Sequence, residues 1–259
     1  MMEIDTISPD WPLSDKVGAF ISTRSPGHGR GPFQHFNLAE HVGDDSKVVQ
    51  DNRGELSRLL PAGTRIQWLQ QVHGTRVLKP ALDSMGTELV KADAIYLDRV
   101  GVAGAVMVAD CLPVLLAAKD GREAAVAHAG WRGLLGGVLE ETLACFRAPR
   151  EEIHAWMGPA IGPCHFEVGA EVREAFLAHC AQVEQARLLD KLGFMPGGSG
   201  NKNKWQANLY AIASLRLSWS GVKQIHGGGL CTYCDPERFF SYRRDGVTGR
   251  MASLIYLKA

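Results

Sequence analysis

Residues 102–133 read VAGAVMVADCLPVLLAAKDGREAAVAHAGWRG, and this stretch decides the fold. Two apolar runs, 102–108 and 114–117, lie in a region broken by Gly101, Gly104, Asp110 and Pro113. They predict consecutive buried strands. A third strand is predicted over 123–128, ending at Gly130, and 93–97 supplies a neighbour on the N-terminal side. Further out, strands are expected over 17–23, 65–72, 153–157, 224–225 and 251–257. Helices are expected over 44–60, 132–146, 171–189 and 209–219. Residues 24–34 and 194–204, rich in Gly, read as loops, the second a flexible one, and Gly27, Gly29 and Gly31 suggest either a surface loop or a flap. Strands and helices alternate too irregularly for a doubly wound sheet. The expectation is an α/β (mixed α+β) fold, with residues 1–259 forming a single compact domain of mixed β-sheets flanked by helices.

Composition narrows the partners. Lys plus Arg equals Asp plus Glu, so the formal net charge is zero, unlike the basic excess of a nucleic-acid binder. No segment reaches the roughly 20 apolar residues of a membrane helix. The first residues carry Glu3, Asp5 and Asp10 and do not read as a signal peptide. Six cysteines at irregular spacing favour reduced thiols and a cytoplasmic setting. A monomer or small homo-oligomer is expected.

Three segments combine an apolar strand with a polar end: Gln71-Val-His-Gly74, Ala109-Asp-Cys-Leu-Pro113 and Ala127-His-Ala-Gly-Trp-Arg-Gly133. A sheet fixes the backbone at such points while the following loop exposes the side chain. Two imidazoles and a thiolate, His73, Cys111 and His128, suit zinc, with copper as the other candidate ion. Three protein ligands leave a fourth position open, the catalytic pattern. Each residue also has a plain reading, because a cysteine in an apolar strand is most often a small core residue. Asp110 is a candidate general acid/base or, equally, an acceptor for backbone amides. Cys111 with His128 also fits the nucleophile and base of a cysteine hydrolase or amidase. A multicopper oxidase is disfavoured: the nine histidines are scattered and none forms a His-x-His pair. Cys231-Thr-Tyr-Cys234 has metal or redox spacing, but no second pair lies nearby in sequence and Asp235-Pro236 follows where a redox helix would open, so packing is the expected role. Gly227-Gly-Gly229 predicts a tight turn.

These segments closely resemble the YfiH-like family, once labelled multicopper polyphenol oxidases or laccase-domain proteins. So do Trp156-Met-Gly-Pro-Ala-Ile-Gly-Pro-Cys164, Phe240-Ser-Tyr-Arg-Arg-Asp245, Thr248-Gly-Arg-Met-Ala-Ser253, Ser22-Thr-Arg24, Phe36-Asn-Leu38 and His41-Val-Gly-Asp44. The resemblance runs in order from about residue 20 to the C-terminus. It implies a purine nucleoside phosphorylase acting on adenosine, inosine, guanosine and methylthioadenosine with phosphate, and also deaminating adenosine. It implies His73, Cys111 and His128 as metal ligands. Asn37, Arg24, Arg132 and Arg243 lie in matching motifs and are candidates for substrate or phosphate binding. The arginine fork suits phosphate, and the sequence does not choose among the three. Amide chemistry in cell-wall peptide editing is the competing reading. Asn208 departs from the pattern the resemblance implies, which has Asp at this position before Leu209-Tyr210.

Overall fold

Residues 102–129 become three consecutive strands because both of their faces are covered. Val102–Val108, Leu112–Ala118 and Ala124–Ala129 are buried at every position. The computed structural model describes residues 3–13, 15–80, 89–197 and 203–259.

Two large sheets carry the structure. The first has five strands in the order Thr6–Ile7, Val17–Ser22, Met251–Leu257, Val102–Val108, Arg65–Gln67. The second has six, in the order Gln224–Gly227, Ile153–Met157, Leu112–Ala118, Ala124–Ala129, Ala94–Leu97, Val77–Leu78. Both are mixed: Arg65–Gln67 runs parallel to Val102–Val108, whereas Met251–Leu257 is antiparallel to it. Alternate residues build separate layers. Val102, Val106, Ile255 and Ile21 meet Leu115, Val126 and Ile95 between the sheets. The opposite face of the first sheet, through Ala103, Ala105 and Leu254, packs on Phe36, Leu38 and Leu56. The opposite face of the second packs Leu112, Val114 and Leu116 against Leu139, Ile212 and Leu217 of the helices. Burial on both faces is why these strands lack the polar alternation of an exposed sheet.

Several elements are shorter or more divided than the sequence suggests. The first helix spans Ser46–Ser57, capped by the Asp45 carboxylate, which accepts from the amides of Lys47 and Val48. The helix expected over 132–146 is two, Trp131–Gly136 and Val138–Ala144. Gly137 between them has φ +99°, a left-handed geometry that ends the first helix. The segment 171–189 likewise divides into Ala170–Ala178 and Val183–Gly193. Residues 65–72 divide into Arg65–Gln67 in the first sheet and Leu69–Gln70, which pairs with Val90–Lys91 in a separate ribbon.

The loop expected over 194–204 needs correction. Phe194–Pro196 and Lys204–Ala207 are antiparallel strands, joined by Glu167–Gly169 into a third sheet. Its glycines suggest a loop, but Phe194 is buried in the helix-side core and carries the strand with it. Gly198 and Gly200 lie outside the described residues. Gly227, Gly228 and Gly229 all take positive φ, the tight turn expected of them. Among the described residues no helix is long and apolar enough to cross a membrane.

Candidate metal centre and its cleft

His73, Cys111 and His128 come from three separate elements, and their ligand atoms lie within 4.8 Å of one another. His128 stands on the strand Ala124–Ala129 and is almost fully buried. Cys111 occupies the turn between Val102–Val108 and Leu112–Ala118. His73 follows Leu69–Gln70 in a loop and holds φ +58°. Its Nε2 is 3.7 Å from the Cys111 Sγ, and the two imidazole rings meet edge to face at 4.8 Å. Gly130 makes room for this approach: a Cβ there would lie 2.9 Å from the Cys111 Sγ and 3.1 Å from the His73 ring.

Asp93, fully buried, organises the group. Its Oδ1 accepts from the His73 amide at 2.9 Å and from His128 Nδ1 at 2.9 Å. Its Oδ2 accepts from the amides of Val72 at 3.2 Å and Gly74 at 2.7 Å. One carboxylate therefore shapes the His73 loop and orients the His128 ring, directing Nε2 away from Asp93. This is the usual support of a metal-bound histidine. In sequence Asp93 is only a polar residue opening a strand. Four donors converging on it are visible only once the chain is folded.

The electrostatics couple the thiol to the imidazoles. Burial pushes the Cys111 thiol up, but the neighbouring His128 and then His73 outweigh burial and bring it down to about 6. Burial lowers His128, but the Cys111 thiolate and Asp93 raise it to about 9. A thiolate ligand is therefore preformed near neutral pH. In metal-free protein, Cys111 should react with iodoacetamide at half its maximal rate near pH 6, and the rate should fall as acid protonates the thiolate. Peptide mapping across a pH series measures this. An ordinary profile with its midpoint near 8.5 would show that the histidines do not activate the thiol.

The trio opens onto a cleft of about 380 Å³, within the range of small-molecule sites. Met107, Val108 and Ala109 form an apolar wall, and the 60% exposed Tyr242 stands at its edge. Gln71 also lines it, but its amide is tied to the backbone of Met107, donating to the carbonyl and accepting from the N–H. His41 and Arg250 complete the lining. Arg250 Nη1 donates to the carbonyls of Thr248 and Gly249, and its Nε and Nη2 meet no protein acceptor among the described residues. Burial, reinforced by Arg250 and Arg53, holds the His41 imidazole below its usual value. The sequence signals for both residues are the family-like segments that contain them. Nothing in spacing separates Arg250 from the other arginines.

The remaining candidates lie elsewhere or are already engaged. Both Asp110 oxygens are occupied, Oδ1 by the Thr232 hydroxyl at 2.6 Å and Oδ2 by the Arg243 amide at 2.7 Å. Asp110 itself holds φ +99°, a strained backbone that these bonds restrain. The Arg24 guanidinium is bound by the carbonyls of Gln34 and Pro236. Arg243 donates to the carbonyls of His165 and Glu167, and the exposed Arg132 stacks over its own neighbour Trp131. None of these three arginines lines the cleft. Asn37 is fully buried: its amide donates to Ala39 and Asp44 and accepts from the amides of Ala39 and Arg250. It thus braces the segments that carry His41 and Arg250. Asn208 caps the helix Leu209–Trp219, accepting from the Ala211 amide.

Residues 18–258 match the family described as multi-copper polyphenol oxidoreductase laccase. The chain belongs to this family. The purine nucleoside phosphorylase YfiH of Escherichia coli is 48% identical, with 97% of this chain and 98% of the relative aligned. The purine nucleoside phosphorylase of Pseudomonas aeruginosa is 44% identical, over 97% of this chain and 98% of its own. The crystal structure of a Neisseria meningitidis protein superposes with a TM-score of 0.88 at 43% identity, covering 98% of this chain and 99% of that one. YlmD from Geobacillus stearothermophilus gives 0.82 at 31% identity, covering 96% and 94%. The oxidase description of the family and the nucleoside phosphorylase names of these relatives are two different chemistries, and the donor set bears on the choice. One His/Cys/His trio does not resemble the many-imidazole arrangement of a multicopper oxidase. It fits a single borderline-soft ion with a position to spare.

Proposed function

We propose that this chain is a zinc-dependent purine nucleoside phosphorylase that also deaminates adenosine, with His73, Cys111 and His128 as the zinc ligands. The observation that carries this reading is a three-ligand centre opening onto a cleft that also contains Arg250 and His41. The donors fit zinc: Asp93 holds His128 through Nδ1, a metal would replace the proton that its other nitrogen shares with Cys111, and Cys111 is a thiolate near neutral pH. A bound zinc ion supplies Lewis acidity at its open coordination position.

The chain's own residues divide the remaining tasks. Arg250 offers a fixed cation whose Nε and Nη2 are unengaged among the described residues, and we assign it to phosphate. Tyr242 gives a ring on which a purine can stack, beside the apolar wall of Met107 to Ala109. In phosphorolysis a phosphate oxygen bonds to C1′, the C1′–N9 bond breaks with its electrons going to the base, and the base gains a proton. In deamination the oxygen of water bonds to C6, ammonia leaves and inosine remains. His41, kept neutral by its surroundings, has both a donor and an acceptor nitrogen and is assigned to proton transfer. With both of its oxygens engaged, Asp110 instead supports the turn that presents Cys111.

A nucleoside panel assayed with and without phosphate tests this assignment. Adenosine should give adenine and ribose 1-phosphate only when phosphate is present, and inosine in its absence. Equal adenine release in phosphate-free buffer would mean hydrolysis. Arg250→Gln should raise the KM for phosphate by roughly 10- to 100-fold, the value of one or two charge-assisted hydrogen bonds, and deamination should fall less. An unchanged phosphate KM would remove Arg250 from the anion site.

A second reading has a specific observation behind it. Asp93, His128 and Cys111 are connected in the order of a Cys-His-Asp hydrolase triad. That triad leaves His73 without a role, whereas zinc uses all three residues. A cysteine hydrolase would survive chelation, die on alkylation and carry a covalent adduct on Cys111 during turnover.

A further inference from the structure

Cys231 and Cys234 have no second pair near them in sequence, but the fold supplies one. The loop after Ile153–Met157 brings Cys164 and His165 against them, 67 positions from Cys231 in the case of Cys164. The Cys164 Sγ lies 3.5 Å from the Cys234 Sγ and 3.9 Å from the Cys231 Sγ. His165 Nδ1 lies 3.2 Å from the Cys164 Sγ and 3.3 Å from the Cys234 Sγ. All four ligand atoms fall within 4.8 Å of one another.

We propose that Cys164, His165, Cys231 and Cys234 form a second, structural zinc site, separate from the His73/Cys111/His128 centre. A tetrahedral zinc with bonds of about 2.3 Å to sulfur and 2.0–2.1 Å to nitrogen separates its ligands by roughly 3.5–3.8 Å. The four donors stand close to that spacing. Cys₃His is a closed structural set, with no position left for substrate. His165 is held by stacking on Tyr233 at 3.9 Å. Gly162 lets the thiols converge, because a Cβ there would lie 3.2 Å from the Cys231 Sγ and 3.3 Å from the Cys164 Sγ. A redox pair would need only two of the four residues and would leave His165 and one thiol unexplained. The three cysteines are all free thiols, and the ordinary separation within a disulfide is about 2.05 Å.

The site has a structural task. It clips the loop of Cys164 to the loop of Cys231, adding to an isolated bridge between Ala160 and Cys231, the Gly162 amide that donates to the Cys231 Sγ, and the His165–Tyr233 stack. The second loop carries Thr232, whose hydroxyl holds Asp110 beside Cys111. The zinc would therefore brace the turn of the first metal centre without contacting its ligands.

Metal analysis of full-length protein purified from zinc-supplemented cells, with native mass spectrometry, tests the proposal independently of the proposed activity. Wild type should hold two zinc ions per chain and Cys111→Ala one. A Cys231→Ser/Cys234→Ser variant should also hold one, with its melting temperature lowered by roughly 5 °C or more. Cobalt loaded into Cys111→Ala should give the intense visible absorption of a tetrahedral, thiolate-rich site. That spectrum carries the test if the double serine variant does not fold. Metal-free Cys111→Ala protein that neither binds cobalt nor loses stability would overturn the site. So would a disulfide among these cysteines in freshly purified wild type. If two zinc ions are found but no nucleoside is cleaved, the functional reading fails and this site stands.

Discussion

Cys111→Ala is expected to remove the proposed catalytic zinc and to lower both proposed activities, phosphorolysis and deamination, by about 10³-fold or more. A Lewis-acidic ion supplies several kcal/mol to such reactions, and each 1.36 kcal/mol is about tenfold in rate. Cys111 is the anionic member of the trio, so losing it leaves two neutral imidazoles to hold a dication. His73→Ala and His128→Ala should behave alike. Cys111→Asp separates a ligand from a nucleophile. A carboxylate also ligates zinc, so this variant should retain part of the metal and weak deaminase activity. A cysteine hydrolase would lose everything in both variants, because a carboxylate cannot form its thioester. Zinc content and the two rates, measured on the same preparations, decide the matter. Full activity in metal-free Cys111→Ala protein would end the zinc assignment.

Asp93→Asn should be nearly as damaging, and by a different route. The substitution keeps size and replaces one oxygen with an NH₂ group, which cannot accept. Each Asp93 oxygen takes two donors, so two donors are left facing another donor in a buried place. At about 1–3 kcal/mol for each unsatisfied group, the variant should lose roughly 2–6 kcal/mol of stability. Zinc affinity should also fall by about 10- to 100-fold through the freed His128. Urea unfolding of metal-free protein and competition with a chromophoric chelator measure the two effects. A wild-type midpoint and affinity together would reduce Asp93 to a space-filling residue. The pH dependence has a definite sign. Burial raises the Asp93 carboxyl, but its bonds to His128 and the loop amides outweigh burial and hold it below the usual value. Its stabilisation is therefore present above the unfolded value of about 3.9 and is lost as pH falls through the folded one. The Asn variant should lack this acid-dependent step.

The sequence by itself determined the mixed strands of the centre and the three metal-capable residues. Uninterrupted apolar runs have no stable place except between covering layers, and a His or Cys at the end of such a run is conspicuous. It also carried the turn at Gly227 to Gly229. Tertiary structure alone decided the rest, because the deciding forces act between segments far apart in the chain. The 194–204 segment became strands because Phe194 found the core. Residues 132–146 broke at Gly137, where the left-handed backbone turns the chain. Arg24, Arg132 and Arg243 look equivalent to Arg250 in sequence, yet carbonyls or an aromatic ring hold their guanidinium groups outside the cleft. Asp93 and the Cys164–His165 pair were silent for the same reason. A carboxylate or a thiol takes its role from the donors and thiols that surround it, and spacing along the chain does not record which distant groups the fold will bring within 4 Å.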